Sequence, residues 1–187
     1  MIQRMRIITL QGLAICTMIH SGMGANFYVD SKDGDDSRNG RTPVNAWRAL
    51  NQANRAELKP GDRLLLRGGR TFEGSLQLGP EDSGAPAKPV IIGSYGAGRA
   101  TIQAGTGYGI LDCVGGLVDK CVAWKNGKLC NYASGGPCGI WTAIARRVII
   151  QECESYSNRT SGVDRDGFGL DGGCISCVLQ YNYSKRS

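Results

Sequence analysis

The sequence predicts an all-β chain wound as a right-handed parallel β-helix (a solenoid), with an α-helix capping its N-terminal end. Three observations carry this expectation. Glycine supplies 28 of 187 residues, about twice the ordinary share, and cuts the chain into short aliphatic runs. Past residue 110 a strand-like pattern returns after 32 residues and again after 29. A single amphipathic segment precedes the repeats, where a solenoid needs its first edge covered. The organisation that follows is a signal segment over 1–24, a strand, loop and capping helix over 25–60, and β-helix turns over 61–187.

Taken in order, Arg4 and Arg6 stand before the mostly apolar stretch Ile7–Ile19, which Gln11 interrupts. Small residues follow at Ser21, Gly22, Gly24 and Ala25. This is the plan of a secretory signal cleaved near Gly24 or Ala25, and the stretch is short for a membrane span. The expectation is a secreted or periplasmic protein with no membrane segment after cleavage. Loss of the two arginines turns 22 basic residues into 20 against 16 acidic ones, a formal surplus of +4. His20, the only histidine, leaves with the signal. That excludes Ser-His and Cys-His catalysis and histidine-ligated metal from the mature chain. Carboxylates, Lys, Arg, Tyr and oxygen-ligated calcium remain. The mild basic surplus suits an acidic polysaccharide partner, while the absence of a basic or aromatic-basic stripe argues against nucleic acid.

Seven cysteines stay in the mature chain: Cys113, Cys121, Cys130, Cys138, Cys153, Cys174 and Cys177. Export permits disulfides. Cys130 and Cys138 bracket a Gly-rich loop and are the favoured bridge. Cys174 and Cys177 have CxxC spacing, but with no second such pair the better reading is small buried hydrophobes.

Asn26–Asp30 reads as a first strand and Ser31–Arg41 as a polar loop. Thr42 is placed to cap a helix whose first residue is Pro43. Trp47, Leu50, Ala53 and Leu58 recur at helical spacing on a face broken only by Asn54, and Lys59-Pro60-Gly61 ends the segment. The period then becomes two in Arg63–Leu66, Pro89–Ile92 and Ala100–Ile102.

The repeat aligns Gly116–Asn126 above Val148–Asn158 above Cys177–Ser187. Its second and third columns are apolar, its sixth reads Cys121, Cys153, Asn182, and its eighth reads Ala123, Ser155, Ser184. Equivalent residues on parallel strands stack about 4.8 Å apart, so Cys121 and Cys153 become neighbours within disulfide reach. A buried ladder of small polar residues is the preferred reading of that column. Trp124 and Tyr156 share another column and offer a stacking platform for sugars. The last copy stops in its latter half, so the expectation is that the natural protein continues.

Phe27-Tyr28-Val29-Asp30, the Gly-Asp loop, the Trp47 segment, Pro60-Gly61-Asp62 and Lys88–Ile92 together resemble the opening of bacterial right-handed β-helix proteins of the pectate-lyase-like superfamily. Asp166-Gly167-Phe168, followed by Cys177–Ser184, is similar to the core of family 9 polysaccharide lyases. The resemblance implies calcium-assisted β-elimination on an acidic polysaccharide. Asp166 is the calcium-binding aspartate it implies, with Asp164 and Asp171 as nearby oxygen donors. The family's Asp-Asp-Gly-x-Asp motif and its lysine base have no counterpart here, so the catalytic residues are unknown and the expectation is little or no lyase turnover.

In such a reaction calcium on the uronate carboxylate stabilises the charge that develops as the ring proton leaves. Strand alternation places Phe168 and Leu170 inside and Gly167, Gly169 and Asp171 outside. Asp166 shares the inward parity and reaches solvent only from a turn before the strand. The Asp33-Gly34-Asp35-Asp36 cluster reads as cap loop rather than metal site. Two other functions fit the residues: a glycoside hydrolase using Glu152 and Glu154, which share a face near the aspartates, and a non-catalytic carbohydrate-binding or surface solenoid using Trp124 and Tyr156. The signal segment makes a first prediction: exported protein lacks about its first 24 residues. Mass spectrometry of secreted material that still carries Met1 would overturn it.

Overall fold

The computed structural model describes residues 24–104, 113–126, 139–158 and 166–185. Strands β1 (Asn26–Val29), β2 (Arg63–Arg67), β3 (Thr71–Glu73), β4 (Val90–Tyr95), β5 (Ala100–Gln103), β6 (Gly116–Asp119) and β7 (Cys121–Trp124) lead the chain. They are followed by β8 (Ile140–Thr142), β9 (Ile149–Gln151), β10 (Glu154–Tyr156), β11 (Phe168–Leu170), β12 (Val178–Gln180) and β13 (Tyr183–Lys185). Every pairing between these strands is parallel. They form a six-stranded sheet β1-β2-β4-β6-β9-β12, a five-stranded sheet β13-β10-β7-β5-β3 and a two-stranded sheet β11-β8. The chain is a parallel β-solenoid with very little helix.

The register follows the repeat residue by residue. Leu117 and Val178 both flank Ile149, and Val118 and Leu179 both flank Ile150. On the five-stranded sheet Trp124 pairs with Tyr156 and Tyr156 with Lys185. Stacking puts like on like inside the coil: Phe27, Leu64, Ile92, Val118 and Ile150 form one buried file. Each residue of such a file meets apolar neighbours above and below, which is why the short strands hold without long runs.

The corners between sheets are single residues in the left-handed region, and they too are stacked. Lys120, Glu152 and Tyr181 have φ of 53°, 48° and 56°, and Gly115, Arg147 and Ser176 have 68°, 54° and 57°. Such a conformation costs an ordinary residue about 1–2 kcal/mol. It persists because the corner amide is bonded to the next rung: Lys120 N to Gln151 O at 3.3 Å and Glu152 N to Gln180 O at 3.3 Å.

Side chains satisfy the amides beside these corners. Cys121 N donates to Cys153 Sγ at 3.4 Å, and Cys153 N donates to Asn182 Oδ1 at 2.9 Å. At the far end of the strand Ala104 N donates to Asn126 Oδ1 at 2.7 Å, and Asn126 N to Asn158 Oδ1 at 3.0 Å. The polar ladder is thus the arrangement found at Cys121 and Cys153, both of them thiols. The hydrogen bond that the Cys121 thiol donates to Cys153, together with burial, pushes Cys121 well above its ordinary value and keeps it protonated. Cys174 and Cys177 are thiols packed against the core, directed at the carbonyls of Thr142 and Ala145. Cys130 and Cys138 lie outside the described residues.

The capping helix over Pro43–Leu58 is not formed, and this corrects the expectation. Thr42 does cap a turn, accepting from Asn45 N at 3.3 Å with Pro43 behind it, but that turn is 3-10 and ends at Asn45. Trp47 then lies extended against β1: Trp47 N donates to Tyr28 O at 2.9 Å and Asp30 N to Trp47 O at 2.8 Å. Asp36 Oδ1 fixes the extended stretch by accepting from Arg48 N and Ala49 N at 2.7 and 2.9 Å. Only α1, Leu50–Ala53, is helical. The open edge of β1 takes up amides that a helix would have used internally. Trp47, Leu50, Ala53 and Leu58 are buried all the same, so the apolar spacing located the cap without determining its backbone.

The Gly-Asp loop is structural, as expected. Gly40, at φ 67°, sits against the Trp47 ring. Burial works to raise the Asp30 carboxyl, but the amides of Lys32 and Asp33 and the Arg70 guanidinium hold it below the usual carboxylate value.

A second prediction concerns the amide ladder. Asn126 is 2% exposed and also donates to Gly139 O at 3.3 Å. Asn126→Leu strands the Ala104 amide and the Gly139 carbonyl, and each buried orphan costs about 1–3 kcal/mol. Urea denaturation is expected to show a loss of at least the lower of these values, and unchanged stability would refute the ladder.

Candidate functional site

Alternation on the five-stranded sheet fixes which side chains face solvent. The corner at Lys120 turns Cys121 and Ala123 inward and puts Val122 and Trp124 on the opposite face, where Trp124 is half-buried and Val122 is covered. Glu152 does the same for β10, with Ser155 buried and Glu154 and Tyr156 outside. In register, the outer face presents two files. One is Glu73, Gln103, Trp124, Tyr156 and Lys185; the other is Thr71, Thr101, Val122, Glu154 and Tyr183. Five strands about 4.8 Å apart give a face roughly 19 Å long.

Aromatic rings occupy the end of this face nearer β13. The Tyr156 and Tyr183 rings meet edge-on with centroids 6.0 Å apart, and Lys125 Nζ lies 4.2 Å from the Trp124 centroid. Tyr183 is 56% exposed, so the patch is open to a ligand. Beside Tyr183 on the neighbouring strand stands Glu154, whose Oε1 is 3.0 Å from Arg99 Nε. Arg99 also donates through Nη1 to the Glu152 carbonyl. Arg99 comes from the bend before β5, two rungs earlier, and is itself only about one-third exposed (side chain 35%).

The sequence-predicted residues divide accordingly. Trp124 and Tyr156 are brought together on adjacent strands. Glu152 and Glu154 do not form a free pair of carboxylates: Glu152 Oε2 lies 3.3 Å from Lys120 Nζ, and Glu154 is taken by Arg99. The carboxylates of Asp119 and Glu152 raise the Lys120 ammonium above its ordinary value. These glutamates bound the corner of the five-stranded sheet, whereas Asp166 and Asp171 flank β11 in the two-stranded one.

Asp166 is exposed and precedes β11, and its carbonyl accepts from Gly139 N at 3.0 Å. Asp171 is exposed beyond the other end of the strand, with Oδ1 accepting from Gly172 N at 2.7 Å. Asp164 lies outside the described residues. Among the described residues no three His, Cys, Asp or Glu side chains come together as metal ligands. Calcium takes six to eight oxygens, and the two aspartates at opposite ends of β11 do not assemble such a set by themselves.

Phe168 packs against the core and Asp171 faces out, as alternation requires, whereas Leu170, expected inside, is 40% exposed. Gly167 does not face out. A Cβ there would run into Ser184 Oγ and come within 3.1 Å of Ser155 Cβ, because the bend before β11 presses onto the buried file of the five-stranded sheet. Strand parity fails at Gly167 because the residue precedes the strand. Tyr183 and Arg99 were missed by sequence reasoning. Tyr183 lay in the seventh repeat column below Val122 and Glu154, a signal that was legible. Arg99 lies 53 residues from the carbonyl it holds, outside the repeat.

No protein-family description matches the chain. Over 82 residues, 43% of this chain, it is 30% identical to a lacto-N-biosidase of Bifidobacterium longum subsp. longum, of which that stretch is 5%. A crystal structure of GH136 lacto-N-biosidase from Eubacterium ramulus superposes with a TM-score of 0.67 at 21% identity, covering 87% of this chain and 34% of that one. A rhamnogalacturonan lyase superposes with a TM-score of 0.58 at 14% identity, covering 87% and 51%. The fold is a parallel β-helix, as in these proteins. At these identities the structural likeness speaks for the fold alone and does not reach family 9 lyases in particular. The chain spans a twentieth of the curated relative and a third to a half of the structural ones.

The third prediction tests the packing under the face. Gly167→Ala forces β11 away from Ser184 and Ser155, at a cost of about 1–3 kcal/mol. Gly172→Ala, with nothing within 4 Å of the added carbon, serves as the neutral control. Equal stabilities of the two variants in urea titrations would refute the close approach.

Proposed function

We propose that this chain is the saccharide-binding part of an exported, right-handed β-helix protein that acts on carbohydrate. The observation that carries the reading is the outward aromatic patch of Trp124, Tyr156 and Tyr183 on in-register strands. Aromatic faces offer sugars a flat apolar surface for their C–H groups, and rings fixed by a sheet lose little freedom when a ligand arrives. Parallel winding spaces the ring-bearing rungs regularly, which suits a chain of sugar units over a compact metabolite.

Cleavage of a glycosidic bond by hydrolysis is the reaction class we favour for the whole protein. The local 30% identity is to a lacto-N-biosidase, and the structural relative with a TM-score of 0.67 bears the same name. Elimination is the second reading, favoured by the likeness to a rhamnogalacturonan lyase and by the Asp166-Gly167-Phe168 resemblance. It carries with it an acidic polysaccharide and a calcium ion at Asp166, with Asp164 and Asp171 as further donors.

The fourth prediction is that the 187-residue chain retains oligosaccharides, and that Trp124→Ala and Tyr156→Ala each weaken binding about tenfold, near 1.4 kcal/mol, with unchanged melting. Calorimetry with cellotetraose, lacto-N-tetraose and tetragalacturonate checks this. Undiminished affinity in both variants would sink the reading. Reducing-end release, set against absorbance of an unsaturated uronate, separates hydrolysis from elimination.

A further inference from the structure

We propose that Glu154 is the specificity-determining residue of the aromatic face, reading a pair of neighbouring hydroxyls on an uncharged sugar, and that Arg99 is its positioning residue. This rests on the saccharide reading of the same face. Glu154 lies on β10 two residues before Tyr156 and directly beside Tyr183, so its carboxylate sits where a sugar ring stacked on those rings would present its edge. A carboxylate has two oxygens and up to four acceptor positions. One oxygen is engaged by Arg99 Nε at 3.0 Å, which leaves the other to accept from sugar hydroxyls as a charge-assisted bond.

The fork of Arg99 explains the choice of residue. Nε holds the carboxylate while Nη1 holds the Glu152 carbonyl. The side chain therefore ties Glu154 to the backbone of the corner that starts its own strand. Lysine, whose three donors all radiate from one nitrogen, cannot span both acceptors with that planar geometry. Because the guanidinium is anchored on the Glu152 corner and is mostly covered, it is not free to turn toward a uronate.

Charge on the face agrees. Of the ten outward positions in the two files, Glu73 and Glu154 are acidic and Lys185 is basic. Lys125 flanks them at the Trp124 ring. The basic surplus of the whole chain is thus not gathered here as a row of free cations. A uronate carboxylate brought against Glu154 meets like charge, which discriminates strongly between ligands, whereas hydroxyls meet an acceptor already oriented.

The test is calorimetric titration of the 187-residue chain with cellotetraose, lacto-N-tetraose and tetragalacturonate, comparing wild type, Glu154→Gln, Arg99→Lys and Arg99→Met. The wild type is expected to bind a neutral tetrasaccharide more tightly than tetragalacturonate. Glu154→Gln should weaken the neutral ligand about tenfold or more, as loss of a charged hydrogen bond implies, and leave or improve tetragalacturonate. The neutral-to-acidic ratio therefore falls. Arg99→Met should lower that ratio in the same direction, with Arg99→Lys no better than partial rescue. A merely structural role for Arg99 would weaken all ligands equally and leave the ratio fixed. Preference of the wild type for tetragalacturonate, or a ratio unchanged in Glu154→Gln, overturns the inference while the Trp124 and Tyr156 variants still judge the face. Failure of the wild type to bind any of the three overturns both.

Discussion

Everything in this molecule depends on strands lying parallel and in register, so that each residue has its own equivalent above and below. A lone rung cannot satisfy its amides or bury its apolar side chains. Stacked rungs do both at once, because backbone bonds run between rungs and the inward files close on themselves. The left-handed corners show how strict this is. A residue such as Glu152 accepts an unfavourable φ of 48° since the alternative breaks the amide bond to Gln180 and shifts every later column. Corner strain is tolerated where the neighbouring rungs over-determine the backbone.

The same constraint builds the outer face. Alternation after a fixed corner decides that Trp124, Tyr156, Glu154 and Tyr183 point outward, and register decides that they point outward together. Its rings and carboxylate stand on strands whose backs are pinned by the Cys121–Cys153–Asn182 and Ala104–Asn126–Asn158 ladders. Rigid support of this kind is what makes a modest set of contacts selective.

How much of this was legible depends on whether a feature belongs to the repeat. The register of β6, β9 and β12 and of β7, β10 and β13 could be read from columns, because stacking demands chemical likeness at each position. The Trp124–Tyr156 pair followed from it. The cap could not be read in the same way. Trp47, Leu50, Ala53 and Leu58 at helical spacing specify burial, but edge pairing of Trp47 with β1 outcompetes a helix whose interior amides it can take. Gly167 was misplaced because parity was carried one residue before the start of β11. Arg99 was invisible because long-range side-chain-to-backbone bonds leave no periodic trace.

Arg99 also shows how a solenoid acquires a site that its repeat alone would not produce. The repeat supplies equivalent positions, and equivalent positions tend toward equivalent residues: Val122, Glu154 and Tyr183 share a column yet differ in chemistry. A carboxylate among such neighbours is exposed to water and free to choose rotamers, and a free rotamer recognises poorly. The guanidinium from the bend before β5 removes that freedom by fastening Glu154 to the Glu152 corner. A corner needed for winding thereby becomes the fixed point for recognition. The non-repeating contact turns one member of a column into a distinct chemical group, while the stacked rungs keep it beside the rings with which it acts.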